Sequence, residues 1–391
     1  MNSPTELPLS QLKRARISVM VIFFINGAVL ASLFPHIPYI QQKHQLTEGT
    51  LGLTLLSVSI GAILTLIFTG WLISHFGSKI TTRFASFLIC LALPLPILAD
   101  NYIALLISFA LIGASNGLMD VSMNTQAVSV EKGIRKPIMS SFHAFFSLGG
   151  LIGASLCALA LKSGMTPTQH VIVVAIIAAI GVLISIINLI SSNYDGATQK
   201  TVFTLPKGAL LILSLLGLGA MLSEGAIGDW SAVYMRNNLE TTASLAALGY
   251  AAYSLTMTIG RITGDKLRTW LGSVRLVRIS GMIAAAGLGI GLLLNHPIAA
   301  IIGFACAGLG LSNIVPIVFS AAGNVPGVNA GTGIAAVASI GYIGGLAGPP
   351  LLGLTAEWIS LPWALGILVI IMAVIAIFAG QIQISAEQST N

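Results

Sequence analysis

The sequence predicts an all-α, polytopic membrane protein with twelve transmembrane helices in two pseudo-symmetric six-helix bundles. Three observations predict this fold class: the scarcity of charge, a series of twelve apolar runs, and the uneven placement of basic residues. Of the 391 residues, 55% are hydrophobic and only 8% are charged, whereas a soluble domain carries about 25% charged residues. So few charges could not cover the surface of a water-soluble globule, and a disordered chain would be polar. The composition therefore excludes both of these classes.

The apolar runs each approach the roughly 20 residues that a membrane-spanning helix requires. The first run, Ile17 to Ile40, is longer than the core of a signal peptide, so we expect it to remain as the first span. Numbered 1 to 12 in chain order, the predicted spans are residues 17–40, 50–73, 80–99, 102–129, 139–161, 170–190, 208–235, 243–261, 274–294, 298–320, 331–354 and 361–380.

The basic residues support this count independently. When successive connections are assigned to alternate sides, Lys43, Lys162 and Arg236 fall on one side and the other 15 of the 18 Lys and Arg residues on the opposite side. Basic connections stay in the cytoplasm, so we expect both termini to be cytoplasmic. The same bias accounts for the net charge of +6, and no nucleic-acid partner is expected.

A polar segment after span 6 divides the spans six and six. The sequence therefore predicts an N-terminal six-helix bundle at 1–190, a cytoplasmic linker at 191–207 and a C-terminal six-helix bundle at 208–391. The halves also echo each other, because FFSLGGLIGA at 145–154 and IGYIGGLAGP at 340–349 share a Gly-Gly-Leu-x-Gly core. Similar segments at equivalent places indicate a duplicated bundle. We expect the glycines to allow close helix packing.

Two acids lie well inside the predicted spans. Asp120 is in span 4, and Glu224 is about sixteen residues into span 7. An acid near the centre of a membrane helix costs about 2.5–3.5 kcal/mol, which makes each a candidate for ion coupling or ligand contact. The alternative is a static buried pair. Asn116 and Asn124 share the helix face of Asp120.

Further polar side chains extend this pattern. Asn26 in span 1 and Asn313 in span 10 place mid-span polarity on every third helix, which predicts a polar cavity walled by spans 1, 4, 7 and 10. Both asparagines could instead only hydrogen-bond neighbouring helices. The aromatic candidates for a ligand wall, which could equally be packing residues, are Tyr250, Tyr253 and Tyr342.

His143 and the three cysteines complete the candidates. His143 near one end of span 5 is a proton relay or a partner for Asp120, or else a structural histidine. Cys90, Cys157 and Cys306 stand singly in apolar runs, without CxxC or Cys/His spacing. We therefore expect neither a disulfide framework nor a metal site, and assign the cysteines to helix packing.

Twelve spans in two related halves, a polar middle linker and the segment GWLISHFGSK at 70–79 together resemble the major facilitator superfamily of secondary transporters. In that family the loop after helix two carries Gly-x-Leu-x-Asp-Arg-x-Gly-Arg-Lys, which acts as a conformational latch. Gly70, Gly77 and Lys79 match this motif, as does Leu72. The acidic position and two basic positions are instead Ser74, His75 and Ser78.

The second half offers another latch and a narrower resemblance. Arg261 and Asp265 lie at the corresponding end of span 8, as latch residues or as a solvated charged cluster. The segment from Glu224 to Tyr234, followed by Gly260-Arg261, is similar to the fucose-permease-like branch of bacterial inner-membrane proteins. In such sugar symporters carboxylates on helices one and four are implicated. Asp120 fits the second of these, but helix one offers only Asn26.

The resemblance implies a secondary transporter that moves a small polar solute, sugar-like or a related metabolite, by alternating access. We expect it to be proton-coupled, through Asp120, Glu224 and His143, and to need no cofactor beyond the proton gradient. We expect it to act as a monomer in the lipid bilayer of the bacterial inner membrane. The alternatives are a drug/proton antiporter that exports lipophilic cations and a membrane sensor that does not transport. An enzyme is not expected, because no nucleophile–base arrangement or phosphate loop occurs in a suitable context.

Overall fold

The structure, a computed structural model, describes residues 7–135, 138–191, 207–325 and 330–382, with side chains for all of these but 66, 67, 140, 330–332, 334, 335 and 342. The fold class is as predicted, since these residues form α-helices and no strand occurs among them. The helices are α1 Leu9–Leu33, α2 Ile37–Lys43, α3 Glu48–Ala92, α4 Leu95–Leu98, α5 Tyr102–Ile134, α6 Met139–Lys162, α7 Pro167–Ser185, α8 Ala209–Val233, α9 Ala243–Leu271, α10 Ser273–Leu293, α11 Pro297–Leu311, α12 Ile314–Ala322, α13 Ala330–Ile359 and α14 Leu361–Phe378.

The helices correspond to the predicted spans in order, although spans 1, 3 and 10 are not single helices. The end of span 3 lies on the short helix α4. Span 1 is α1 and α2, joined by the 3₁₀ turn Phe34–His36, and span 10 is α11 and α12. Span 2 and most of span 3 form α3, spans 4 to 9 are α5 to α10, and spans 11 and 12 are α13 and α14. Within the described residues, eleven helices are long and apolar enough to cross a membrane. The remaining predicted span is α9, which is 29 residues long but rich in tyrosine, serine and threonine.

Gly77 explains how one continuous helix provides two spans. Its φ of 80° and ψ of 157° are not helical, and only glycine adopts such angles without strain. The chain therefore turns here, at a glycine of the loop motif. Elsewhere polar residues start the helices: Asn101, Thr166 and Thr242 each accept a hydrogen bond from the backbone N–H three residues on.

The chain divides into two compact units, one of Met1–Gln45 and Thr54–Gln199 and the other of Leu46–Leu53 and Lys200–Asn391. The segment at 46–53 lies in the first half of the sequence but packs with the second unit. A methyl group on Gly52 would lie 2.6 Å from the carbonyl oxygen of Pro349 in α13, and Thr47 hydrogen-bonds Glu357. Of the predicted linker, 192–206 lies outside the described residues.

Each unit contains the same glycine-mediated helix pair. In the first unit, a Cβ on Gly149 or Gly153 of α6 would clash with the carbonyl groups of Phe24 or Ala28 in α1. In the second unit, Gly344 and Gly348 of α13 face the carbonyl groups of Leu218 and Leu222 in α8. Equivalent glycines in the two units are 195 residues apart in the sequence, and the residues whose carbonyl groups they face are 194 residues apart. The duplicated motif therefore packs span 5 on span 1 and span 11 on span 7 in the same register.

Candidate functional site

An ion pair between Glu224 and Arg261 forms the centre of the candidate site in the second unit. Oε2 of Glu224 on α8 lies 3.4 Å from Nη2 of Arg261 on α9, and the side chains are 24% and 22% exposed. Counted from the turn between these antiparallel helices, at 1.5 Å per residue, Glu224 lies about 21 Å along α8 and Arg261 about 27 Å along α9. The sequence analysis missed this pair because it ended span 8 at Arg261, whereas α9 continues to Leu271. Counting the helical rise from the turn to each residue would have indicated that Glu224 and Arg261 can meet.

Two oxygens beside this pair are buried without a hydrogen-bond partner among the described residues. They are Oε1 of Glu224 and the hydroxyl of Tyr253. A buried polar atom left unpaired costs about 1–3 kcal/mol, and native proteins seldom leave one without a function or a ligand. Glu224 therefore offers an acceptor, and Tyr253 offers a hydroxyl, to a polar molecule.

Aromatic rings border the ion pair on α9. The rings of Tyr250 and Tyr253 lie 5.7 Å apart with an interplanar angle of 32°. Glu224 and Arg261 lie close enough for their charges to interact with both phenol groups. Asp229, further along α8, is partly exposed and also acts on Tyr250. The two predicted tyrosines thus lie beside the acid, as a ligand wall requires.

Asn313 links the break in span 10 to α9. It lies between α11 and α12, is buried, and donates from Nδ2 to the carbonyl oxygen of Gly260 at 3.2 Å and to Ser312 Oγ at 2.9 Å. A Cβ on Gly264, one turn along α9, would clash with its Oδ1. Asn313 therefore makes the helix-to-helix contact that was the alternative to ligand binding. The contact lies next to Arg261.

Trp230 and Tyr234 differ from what their positions near the end of span 7 indicate. Such residues suit the membrane–water interface, but both are fully buried. The Tyr234 ring packs edge-on against Phe304, with centroids 6.4 Å apart. Tyr234 is also the first residue of the π-helix Tyr234–Asn238, a helix type that is frequent at functional sites. These rings therefore pack inside the second unit.

The first unit holds the second cluster of polar residues, around Asp120 on α5. Asn124, one turn away, donates from Nδ2 to Oδ1 of Asp120 at 3.1 Å and to its backbone carbonyl at 2.8 Å. Asn116, one turn on the other side, has a buried Oδ1 with no partner among the described residues. Asn116, Asp120 and Asn124 are all partly exposed, and they form the polar face that the helix periodicity predicts.

Asn26 of α1 lies near this face, and His143 of α6 contacts α1. Asn26 of α1 is 1% exposed and donates to Sδ of Met123 at 3.8 Å, while its Oδ1 has no partner in the described part of the chain. It therefore brings span 1 against span 4, as the every-third-helix pattern requires. His143 of α6 is exposed, and its ring stands edge-on to Phe23 with centroids 5.3 Å apart. The side chain of Tyr342 lies outside the described residues.

Comparison with known proteins identifies the family to which this chain belongs. The family model described as Major Facilitator Superfamily matches residues 19–327. An uncharacterized MFS-type transporter of Yersinia pestis is 34% identical over 364 residues, which cover 92% of this chain and 94% of that protein. The chain belongs to the major facilitator superfamily. It is a multi-pass membrane transporter, and transporters of this superfamily are not enzymes.

Solved structures of the superfamily share the fold. The nucleoside transporter NupG superimposes with a TM-score of 0.69 at 14% identity, covering 94% of this chain and 99% of NupG. The fucose:proton symporter FucP of E. coli superimposes with a TM-score of 0.60 at 18% identity, covering 93% of this chain and 97% of FucP. At these identities the likeness shows the architecture alone.

The superfamily loop motif is altered in a way that the structure explains. Ser78, where the family has a basic residue, is buried and accepts a hydrogen bond of 2.6 Å from Gln126 of α5. Ser74, where the family has an acid, donates to the carbonyl oxygen of Trp71 in its own helix, and the His75 ring stacks on Trp71. Of the three departures, Ser78 therefore packs against α5, whereas Ser74 and His75 are exposed and contact Trp71 of their own helix.

The remaining latch candidates are placed as follows. Gly70 is exposed with open space around it, Gly77 forms the turn, and Lys79 is partly exposed. Asp265 is exposed one turn beyond Arg261 on α9. Arg261 pairs with Glu224. The latch roles of these residues stay predictions.

Two further features were not indicated by the sequence. A cavity of about 420 Å³ lies in the second unit, away from Glu224, and is lined in part by Arg268, Arg275 and Asn324. Arg268 donates to Ser273 and Ser320 at 3.0 Å each. Among the described residues, the group able to hold a metal ion is His36, Cys157 and His170 in the first unit.

Proposed function

We propose that this member of the superfamily is a proton-coupled transporter of a small polar solute, sugar-like or of related chemistry. The observation that carries the proposal is the half-satisfied acid in the second unit. One oxygen of Glu224 pairs with Arg261, whereas the other, like the hydroxyl of Tyr253, is buried without a partner in the described part of the chain. A solute hydroxyl can donate to Glu224, and a solute oxygen can accept from Tyr253.

The first unit also holds acceptors. The buried carbonyl oxygens of Asn26 and Asn116 lack partners among the described residues, so they are acceptors for solute hydroxyl or amine groups. Within the second unit, Tyr250 and Tyr253 form an aromatic wall beside Glu224, and solute sites typically combine such a wall with a few polar groups. NupG and FucP, similar in fold, are named for a nucleoside and for fucose with a proton, and both solutes are rich in hydroxyl groups.

Asp120 is the proposed proton carrier. A carboxylate in a membrane span loses its charge when it takes up a proton, and this change of charge can couple proton movement to a change of state. Asn124 donates to Asp120, so protonation weakens a contact within the polar face of α5. His143 is a second candidate for the relay. Coupling then follows from linkage: proton and solute favour the same state in symport and compete in antiport.

The ion pair bears on the alternative of a drug exporter. A site for lipophilic cations needs an acid whose charge is not already compensated. Arg261 lies 3.4 Å from Glu224 and would repel a cation in the same place. The pair therefore supports a neutral or anionic polar solute rather than a lipophilic cation.

The proposal includes a cellular setting. We place the protein in the bacterial inner membrane as a monomer, with both termini in the cytoplasm and with the proton gradient, rather than a cofactor, as its energy source. Solute, protons and the lipid bilayer are the proposed partners. The basic residues of the connections support this orientation.

A thermal-shift screen of the purified protein tests the proposed solute class. Sugars, sugar acids, amino acids, nucleosides and cationic drugs are added at about pH 5.5 and pH 7.5, because a ligand of the native state raises the melting temperature. We expect a polyhydroxylated solute to stabilise the protein, and to do so differently at the two pH values. Stabilisation confined to lipophilic cations would overturn the proposal.

Variants then test the site with the solute found. Tyr253→Phe removes a hydroxyl that has no partner among the described residues, so we expect normal folding and binding weakened by about 1–2 kcal/mol, or roughly 5- to 30-fold. Tyr39→Phe, at a 40% exposed tyrosine of α2, is the matched control. Unchanged affinity in Tyr253→Phe would remove this residue from the site.

A further inference from the structure

A buried cluster of one cysteine and two histidines lies in the first unit, apart from the polar face of α5. His36 closes the 3₁₀ turn between α1 and α2, Cys157 is on α6, and His170 is in the first turn of α7. These residues are 1%, 0% and 3% exposed. Cys157 and His170 follow His36 by 121 and 134 positions in the sequence. No local Cys/His spacing therefore indicates the cluster.

The ligand atoms of the cluster converge on one point. Nε2 of His36 lies 2.9 Å from Nδ1 of His170 and 3.6 Å from Sγ of Cys157, and all three ligand atoms lie within 4.8 Å of one another. A metal ion about 2.0–2.3 Å from nitrogen and sulfur ligands needs them roughly 3–4 Å apart. Two of the separations already fall near this range. The third requires an adjustment of about 1 Å or less.

Hydrogen bonding alone does not satisfy the cluster. The two imidazoles share one hydrogen bond, and Nε2 of His170 is buried without a partner among the described residues. Buried polar atoms in native proteins are almost always paired. An ion bound at Nδ1 of His170 would leave Nε2 of that ring unpaired, so what points to an ion is the convergence of three metal-ligating atoms at a buried point.

The charge of the ligand set selects the ion. Imidazoles bind metals in the neutral form and cysteine as the thiolate, so the three ligands together carry one negative charge. A monovalent ion makes the complex neutral, whereas a divalent ion leaves a positive charge in an apolar interior, which is costly. Thiolate and imidazole are ligands that suit copper(I), a soft ion. We propose that His36, Cys157 and His170 form a copper(I) site.

Binding involves no electron transfer. The copper–sulfur bond forms as the Cys157 thiol releases its proton to solvent. The imidazole that donates the shared hydrogen bond transfers that proton to its other ring nitrogen, so that Nε2 of His36 and Nδ1 of His170 each form a copper–nitrogen bond and both rings stay neutral. This site is separate from Asp120 and Glu224, so it does not depend on the proposed transport function. A structural role follows from its position, because the ion would tie α6 and α7 to the turn after α1.

The test is an anaerobic titration of the full-length protein in detergent. Metal-depleted protein competes with a copper(I) chelator of known affinity, and bound copper is measured per chain. We expect one copper(I) per wild-type chain and an affinity weakened about 100-fold or more in Cys157→Ser, since even indirect partners of a metal site contribute 10- to 100-fold. Cys90→Ser, at another buried free cysteine of the first unit, is the matched control and should bind like the wild type.

Two readouts separate the outcomes. The X-ray absorption spectrum of bound copper should show one sulfur and two nitrogen ligands, and this signature should be lost in His170→Gln. Melting temperatures establish that the variants are folded. Equal copper binding by wild type and Cys157→Ser would overturn the proposal. Tighter retention of zinc than of copper(I) would overturn the choice of ion.

Discussion

The two carboxylate oxygens of Glu224 have different surroundings, and the proposed function depends on this difference. Arg261 compensates its charge at 3.4 Å, while its second oxygen is buried and unpaired within the described part of the chain. Both side chains are roughly a quarter exposed, so water weakens their attraction relative to a fully buried pair. A solute that satisfies the free oxygen would therefore bind without having to break the ion pair.

Removing one charge from this pair should cost more stability than removing both. Glu224→Gln or Arg261→Gln leaves a lone charge, so we expect a loss of about 1–3 kcal/mol, below the 3–5 kcal/mol of a fully buried pair. The double variant should recover part of this loss. Glu240→Gln, at an exposed glutamate, serves as the control, and melting temperatures in detergent measure the effect. Single-variant losses that simply add in the double variant would show that the two charges do not interact.

The sequence indicated some residues of the candidate site better than others. Asp120 and Glu224 were indicated because an acid in an apolar run is costly and conspicuous. Arg261 was assigned to the cytoplasmic end of span 8, because arginine near a span end normally marks the membrane surface. Cys157 and His170 were separated from His36 by more than a hundred residues, and no local spacing reports such a convergence.

At the scale of helices, the paired glycines decide which elements touch. Gly149 of α6 meets the backbone of α1 at Phe24, and Gly344 of α13 meets the backbone of α8 at Leu218. Without a hydrophobic driving force between helices in lipid, close backbone approach at small residues is a main source of packing energy. The Gly-Gly-Leu-x-Gly repeat therefore encodes a helix contact that both units contain.

Adding one methyl group at these contacts should destabilise the protein. In Gly149→Ala or Gly344→Ala the new Cβ meets a backbone carbonyl, which cannot rotate away, so we expect a loss of about 1–3 kcal/mol. Gly366→Ala in α14 is the control, since no atom lies within 4 Å of its added Cβ. Thermal unfolding of the purified variants gives the comparison. A Gly149→Ala variant as stable as Gly366→Ala would contradict the packing described for α6.

Turns inside apolar runs limited the prediction of elements. The turn at Gly77 was predicted from the loop motif, and the φ of 80° at this glycine accounts for it. The break between α11 and α12 at Asn313 was not predicted, because the long apolar run at 298–320 was interpreted as one span although Ser312, Asn313 and Pro316 lie within it. Trp230 and Tyr234 are of a type and position that suit the membrane interface, but both are buried within the second unit.

For the whole molecule, composition and the distribution of basic residues were sufficient to predict the fold class and the order of the spans. They could not predict that 46–53 packs with the second unit, because this contact depends on Gly52 and Gly353 matching across distant helices. Substrate and coupling also depend on side-chain geometry rather than on fold, since one fold serves many solutes.

The orientation in the membrane is a prediction at this scale. Since Lys43, Lys162 and Arg236 are the basic residues assigned to the outer side, both termini should be cytoplasmic. A fluorescent protein fused to the C-terminus should fluoresce, and alkaline phosphatase fused there should be inactive. A fusion at Lys162, in the connection after α6, is the control and should give the opposite result. Active phosphatase at the C-terminus would contradict the predicted orientation.

The most direct test of the proposed function is solute accumulation driven by a pH gradient in proteoliposomes, with the solute found in the screen. We predict that the wild type and Asp100→Asn, at an exposed aspartate of the first unit, accumulate the solute against its concentration gradient. Asp120→Asn should bind the solute but should not accumulate it in response to the pH gradient. Full gradient-driven accumulation by Asp120→Asn would contradict the account.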